Sequence, residues 1–147
     1  MVRVLATGVF DILHTGHLHY LREAKDMGDE LCVIVACDST VRRRKHEPIT
    51  PDKMRAELVN ALKPVDRAMV GEDGDRYRIV LELRPDIIAL GYDQDFDEGV
   101  LEKELRDRGL NVKVKRVSQC SEDLTGTRKI IQKVIDNFER AEKAGET

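Results

Sequence analysis

The 147-residue sequence has no tryptophan, three cysteines, four prolines and only 4% aromatic residues. Each scarcity closes a route. Cys32, Cys37 and Cys120 are odd in number and lack C-x-x-C spacing, so neither a disulfide framework nor a zinc ribbon is indicated. Cys32 and Cys37 bracket an apolar run and read as small core or strand-end residues. No apolar run approaches the roughly 20 residues that cross a bilayer. A strand-like stretch begins directly after Met1 and leaves no room for a cleaved signal, so a cytoplasmic protein without a membrane partner is expected. Net charge is nearly absent as well, 28 acidic side chains against 25 basic ones giving −3. A domain that binds nucleic acid by bulk charge would be strongly basic, so no nucleic-acid partner is expected.

What remains is ample for one core. Hydrophobic residues make up 41% of the chain, and no linker, repeat or low-complexity tract divides it, so residues 1–147 read as a single domain. Charged residues reach 36%, above the usual ~25%, with both signs interspersed.

Short runs rich in Val and Ile at residues 2–7, 31–36, 67–70, 86–90 and 112–117 read as five strands. Segments of helical period lie between them. Leu18, Leu21 and Ala24 share one face, as do Met54, Leu58 and Ala61. Val80 with Leu83 and Val100 with Leu101 and Leu105 mark two shorter helices, and Ile130, Ile131, Val134, Ile135 and Phe138 mark a long last one. Thr50-Pro51 looks like an N-cap followed by proline at the first helical position, and Gly28 and Gly109 stand where helices should stop. The alternating order predicts an α/β fold, Rossmann-like and doubly wound, with a five-stranded parallel sheet and helices on both faces. Ligands of such sheets bind beyond the carboxyl ends of the strands, where strand order reverses.

The turn after the first strand lacks both the dinucleotide fingerprint and the P-loop. It offers Gly8 and then His14-Thr15-Gly16-His17 at the entry to a helix. A helix N-terminus presents unpaired N–H groups and partial positive charge, which favours phosphate oxygens. Gly16 permits close approach, and His14 and His17, three apart, can face one way and donate hydrogen bonds. One histidine at a helix start is ordinarily a cap; two of them flanking x-Gly point to a phosphate chain. A zinc site on His14, His17 and His19 is disfavoured, because residues two apart on a helix diverge.

Gly8-Val9-Phe10-Asp11 followed by His14-Thr15-Gly16-His17 resembles the signature of the nucleotidylyltransferase superfamily, in its small cytidylyltransferase-like branch. The resemblance extends through residues 18–25 and 28–31, Arg55, Val65-Asp66 and Gly91-x-Asp93. It implies transfer of a nucleoside monophosphate from a triphosphate to a phosphate-bearing acceptor, with release of pyrophosphate and use of Mg²⁺ or another divalent cation. Glycerol-3-phosphate cytidylyltransferases, which use CTP, carry a Trp where Gln94 stands and a different sequence before the last helix. Residues 90–98 and 61–66 are more similar to the archaeal-type FAD synthetases, which transfer AMP from ATP to FMN. The residue chemistry alone leaves open the cytidylyltransferase and a non-catalytic nucleotide-binding module.

On this resemblance His14 and His17 are the catalytic pair, donating to the triphosphate, and some pH dependence follows if they titrate near neutrality. The nucleotide site comprises Val9, Phe10, His14, Thr15, Gly16, His17, Lys45, Arg55, Asp93 and Thr127. Val9 replaces the family's usual Thr, leaving its backbone N–H. Lys45 ends the basic run 42–45 after strand two, and Arg55 is expected to grip pyrophosphate oxygens through its guanidinium. Asp93 matches an acid near the sugar or base, and Thr127 opens the last helix toward the phosphates. Residues 42–45, Arg55, Arg116 and Arg128 together predict a local basic site inside a nearly neutral chain. Small members of the branch are often homodimers, and Lys63-Pro64-Val65-Asp66-Arg67 resembles their interface region. Tyr92 and Phe96 are the aromatic residues best placed to stack on a flavin.

Overall fold

A computed structural model describes residues 1–120 and 126–145. The elements run β1 (Arg3–Gly8), α1 (Thr15–Asp26), β2 (Glu30–Val35), α2 (Asp38–Arg44), α3 (Asp52–Asn60), β3 (Arg67–Val70), α4 (Arg76–Leu83), β4 (Ile87–Leu90), α5 (Glu98–Asp107), β5 (Lys113–Arg116) and α6 (Thr127–Lys143). All five strands pair in parallel in the order β3-β2-β1-β4-β5. Strand order therefore reverses between β1 and β4, the point at which such sheets open a crevice beyond the carboxyl ends of their strands.

Strand alternation divides the core in two. Val4, Ala6, Val33, Val35 and Ala89 face Leu21 and Ala24 of α1 and Val59 of α3. Leu5, Ile34, Ile88 and Leu90 face Val80 and Leu83 of α4 and Leu105 of α5. Strands buried on both faces must be apolar almost throughout, which is why β1, β2 and β4 read as continuous hydrophobic runs. Gly109 has φ of +90° and ends α5 in a Schellman arrangement, the Leu110 amide reaching the Leu105 carbonyl at 2.9 Å and its own amide reaching Arg106 at 3.0 Å.

Four local expectations are corrected. Residues 38–44, expected as loop, form α2; its single buried residue, Val41, produces no periodic signal. The N-cap of α3 is Pro51, one residue later than expected, because the Thr50 hydroxyl is committed to Asp11. The face of α3 that packs carries Arg55 and Val59, while Met54 and Leu58 remain about half exposed. Finally, α6 buries no residue, and Val134, Ile135 and Phe138 lie open. No helix among the described residues is long and apolar enough to cross a membrane.

Candidate active site

The turn after β1 is strained and heavily tied. Phe10 and Ile12 adopt φ of +56° and +51°, values that L residues rarely take and that cost on the order of 1–3 kcal/mol each. Contacts from distant segments hold them there. The Phe10 ring packs on Tyr20 at 6.3 Å and on the His17 ring at 5.3 Å. A Cβ on Gly8 would meet that ring at 2.9 Å, so glycine is required for Phe10 to turn inward.

Between the two strained residues, Asp11 is 3% exposed. Its carboxylate accepts the Ile49 amide at 2.7 Å, the Thr50 amide at 3.1 Å and the Thr50 hydroxyl at 2.7 Å. Burial opposes its charge, but the Thr50 hydroxyl, these amides and nearby Arg55 outweigh that and hold the carboxyl below its usual range. Its carbonyl accepts the Thr127 hydroxyl at 2.5 Å, which moors α6 to the turn.

His14 is the N-cap of α1, and its Nδ1 accepts the Gly16 amide at 3.0 Å. His17 Nδ1 accepts the His14 amide at 3.3 Å, a reciprocal arrangement of the capping-box kind. The two rings stack with centroids 3.8 Å apart. An amide can only donate, so both Nδ1 atoms are unprotonated and each neutral ring carries its hydrogen on Nε2. Burial lowers the pKa of His14. Burial, with His14 adding to it, pushes His17 down to about 3. The expectation that His17 titrates near neutrality is therefore corrected: it is a fixed neutral donor at the mouth of a helix dipole.

The basic cluster is also corrected, because most of it is used internally. Arg55 is 0% exposed and gives hydrogen bonds to the carbonyls of Thr50 (3.0 Å), Val9 (2.7 Å) and Ala36 (2.9 Å) and to Asp38 Oδ1 (2.6 Å). In place of the expected grip on pyrophosphate, it clamps the ends of β1 and β2 to α2 and α3. Arg116 pairs with Glu98 and laces the carbonyls of Gly91, Tyr92, Gln94 and Phe96. Arg42 pairs with Glu47 at 2.9 Å and Arg43 with Asp73 at 2.6 Å. Arg44, Lys45 and Arg128 are the members of the cluster that form no ion pair among the described residues.

Other positions fall on the same edge. Asp93 is exposed on the loop after β4, and Lys45 is the exposed C-cap of α2. Gln94, noted in the sequence only as a departure, bridges the crevice: its Oε1 accepts the Gly91 amide at 2.8 Å and its Nε2 donates to the Thr7 carbonyl at 2.7 Å. His19 turns away to Ser118 and Glu23 and does not join His14 and His17. Cys120 precedes a segment, 121–125, that lies outside the described residues, as does that part of the final loop. The described residues contain no group of three or more His, Cys, Asp or Glu placed to hold a metal ion.

A doubly wound sheet whose first helix begins on two stacked, neutral histidines defines a nucleotide-handling α/β domain, and the comparisons agree. The chain belongs to the cytidylyltransferase-like family, whose model matches residues 5–142. It is 57% identical over 140 residues to the FAD synthase of Aciduliprofundum boonei, covering 95% of this chain and 94% of that one. It is 53% identical over 137 residues to the FAD synthase of Archaeoglobus profundus, covering 92% and 88%. A crystal structure from Thermoplasma volcanium, described as a lipopolysaccharide core biosynthesis protein, superposes with a TM-score of 0.81 at 52% identity, over 82% of this chain and 99% of that one. Pantothenate synthetase from Thermus thermophilus, at 17% identity and a TM-score of 0.59 over 83% of this chain and 57% of that one, shares the fold alone.

Proposed function

We infer that the chain is a nucleotidyltransferase that makes FAD, transferring AMP from ATP to FMN. An oxygen of the FMN phosphate attacks the α-phosphorus of ATP; the new P–O bond forms as the bond to the β-phosphate oxygen breaks, and pyrophosphate leaves. A phosphate monoester is already nucleophilic near neutral pH, so the protein needs to position and to stabilise charge rather than to supply a strong base. The observation that carries this chemistry is the His14–His17 pair. Two Nε2–H donors, preset by backbone bonds to Nδ1, stand at a helix N-terminus where phosphate oxygens are favoured. The choice of ATP and FMN rests on likeness to relatives named FAD synthase.

In this reading the backbone of Val9 and Phe10 lies along the nucleotide, and Thr15 and Gly16 supply helix amides to the phosphates. Asp93 approaches the sugar or base, Lys45 an outer phosphate, and the start of α6 at Thr127 closes the cradle. Arg55 acts as a positioning residue behind them. A divalent cation such as Mg²⁺ would neutralise phosphate charge, held by the triphosphate and water, in keeping with the way Mg²⁺ binds through substrate phosphates. A homodimer through residues 63–67 belongs to the same reading, checked by light scattering.

Incubation with ATP, Mg²⁺ and FMN should yield FAD and pyrophosphate in equal amounts on chromatography. Absence of FAD with product from CTP and glycerol 3-phosphate would overturn the reading in favour of a cytidylyltransferase, and ATP binding without turnover of either pair would leave a binding module.

A further inference from the structure

A cavity of about 170 Å³ lies on the sheet face opposite α1, under the same carboxyl edge. Its floor is Leu5, Ile34, Ile88 and Leu90, and its walls include Tyr77 of α4 and Phe96 of the loop after β4. The mouth is different in kind. Thr7, Ala36, Thr40, Arg44 and Glu72 stand there, Glu72 paired with Arg78 at 3.3 Å and Arg44 in no ion pair among the described residues. Pockets that hold a whole small ligand run to roughly 300–1,000 Å³. This one is smaller, so it fits one end of a ligand whose remainder lies along the edge.

We propose that this cavity, lined by Leu5, Ile34, Ile88, Leu90, Tyr77 and Phe96, takes the dimethylbenzene end of the acceptor's isoalloxazine ring. The inference rests on the FMN reading above and assigns a subsite for it. The two ends of an isoalloxazine differ as the cavity does. The dimethylbenzene edge has no hydrogen-bonding atom and loses nothing in an apolar recess, whereas the pyrimidine edge carries two carbonyls and a ring N–H suited to Thr40 and Arg44 at the mouth. Adenine is the poorer occupant, because its amino group and ring nitrogens would be buried among apolar side chains without partners. Placing the flavin on the α4–α5 face leaves the α1 terminus to the triphosphate, so the two reacting phosphates meet at the edge between them. Tyr77 is held by the Arg108 guanidinium 4.2 Å from its ring centre, which fixes one wall of the recess before any ligand arrives.

The test pairs a modified substrate with a modified mouth. With the wild-type protein, FMN lacking the 7- and 8-methyl groups should show a KM about ten-fold higher than FMN, the effect of withdrawing two buried methyl groups, with KM for ATP unchanged within about two-fold. Ala36→Phe, which fills the mouth, should raise KM for FMN by at least about ten-fold with the same indifference toward ATP. The analogue measurement needs no variant and stands if Ala36→Phe fails to fold. FAD formed by the wild type with neither KM for flavin raised overturns the subsite and leaves the activity standing. A rise in KM for ATP alone also overturns it, giving the cavity to adenine. If the wild type forms no FAD, the activity reading falls, and titration followed by FMN fluorescence decides the subsite: saturable binding abolished by Ala36→Phe supports it, and no saturable binding overturns it.

Discussion

The turn after β1 and the helix α6 are opposites. The turn, residues 8–17, has almost no periodic pattern, yet its backbone is pinned by Arg55, Thr50, Thr127 and the two histidine caps. α6 carries the clearest amphipathic stripe in the sequence, yet it buries nothing, and Phe138 is 63% exposed. The difference teaches that a periodic stripe reports only which side chains share a face, while a site is made where polar groups find partners across long stretches of chain. In the turn, those partners offset the strain at Phe10 and Ile12.

The largest way to break the contrast is to remove the clamp. Arg55→Ala strips a fully buried guanidinium from Asp38 and three carbonyls, and should cost about 3–5 kcal/mol in denaturant unfolding. A loss near zero would mean that the turn holds itself. His17→Ala should lower kcat by roughly 10²–10³, the effect of losing one preorganised donor, while the far-ultraviolet spectrum stays native. Unchanged turnover would take the histidine out of the reaction.

Acidification loosens the turn in two steps, both of the same sign. His17, neutral in the fold and able to gain a proton once unfolded, binds fewer protons folded than unfolded between about pH 3 and the ordinary imidazole range. Stability should therefore fall as the pH drops from 6.5 to 5, by on the order of 1–2 kcal/mol. His17→Asn should flatten that slope. Asp11, whose folded pKa is depressed, adds its own loss only at lower pH, as its carboxyl takes up a proton and releases Ile49 and Thr50.

The smaller effects belong to α6. Thr127→Val removes the hydroxyl that donates to Asp11 and should cost about 1 kcal/mol, with a greater effect on turnover than on the melting midpoint. Phe138→Ser should change stability by no more than about 0.5 kcal/mol, as for an exposed position elsewhere. A large loss there would show that the stripe is covered in solution.

Much of the fold was legible because buried strands must be apolar and helices need stop signals. Every strand stands where a Val- and Ile-rich run stood, and Gly109 ends α5 through its positive φ. The histidine pair was legible as a motif at a helix start. What stayed hidden is where a charge goes. Nothing in the spelling of residues 42–45 distinguishes Arg43, paired with Asp73, from Arg44, which faces a cavity mouth. Likewise Arg55 and Arg116 read as cations of a phosphate site, because the carbonyls that engage them come from segments distant in sequence. Gln94 and Asp11 were missed as structural bridges for the same reason.

The bond from Thr127 to the Asp11 carbonyl joins residues 116 positions apart. The sheet is complete once β5 has formed at Arg116, and its pairings need nothing from α6. The pairings that make the sheet and the bond that ties α6 to the turn are therefore separate sets of contacts, and a change at Thr127 reaches the turn without touching a strand. Closing a loop of that length costs chain entropy that one hydroxyl repays only in part, so the tie holds because the sheet has already brought its two ends together.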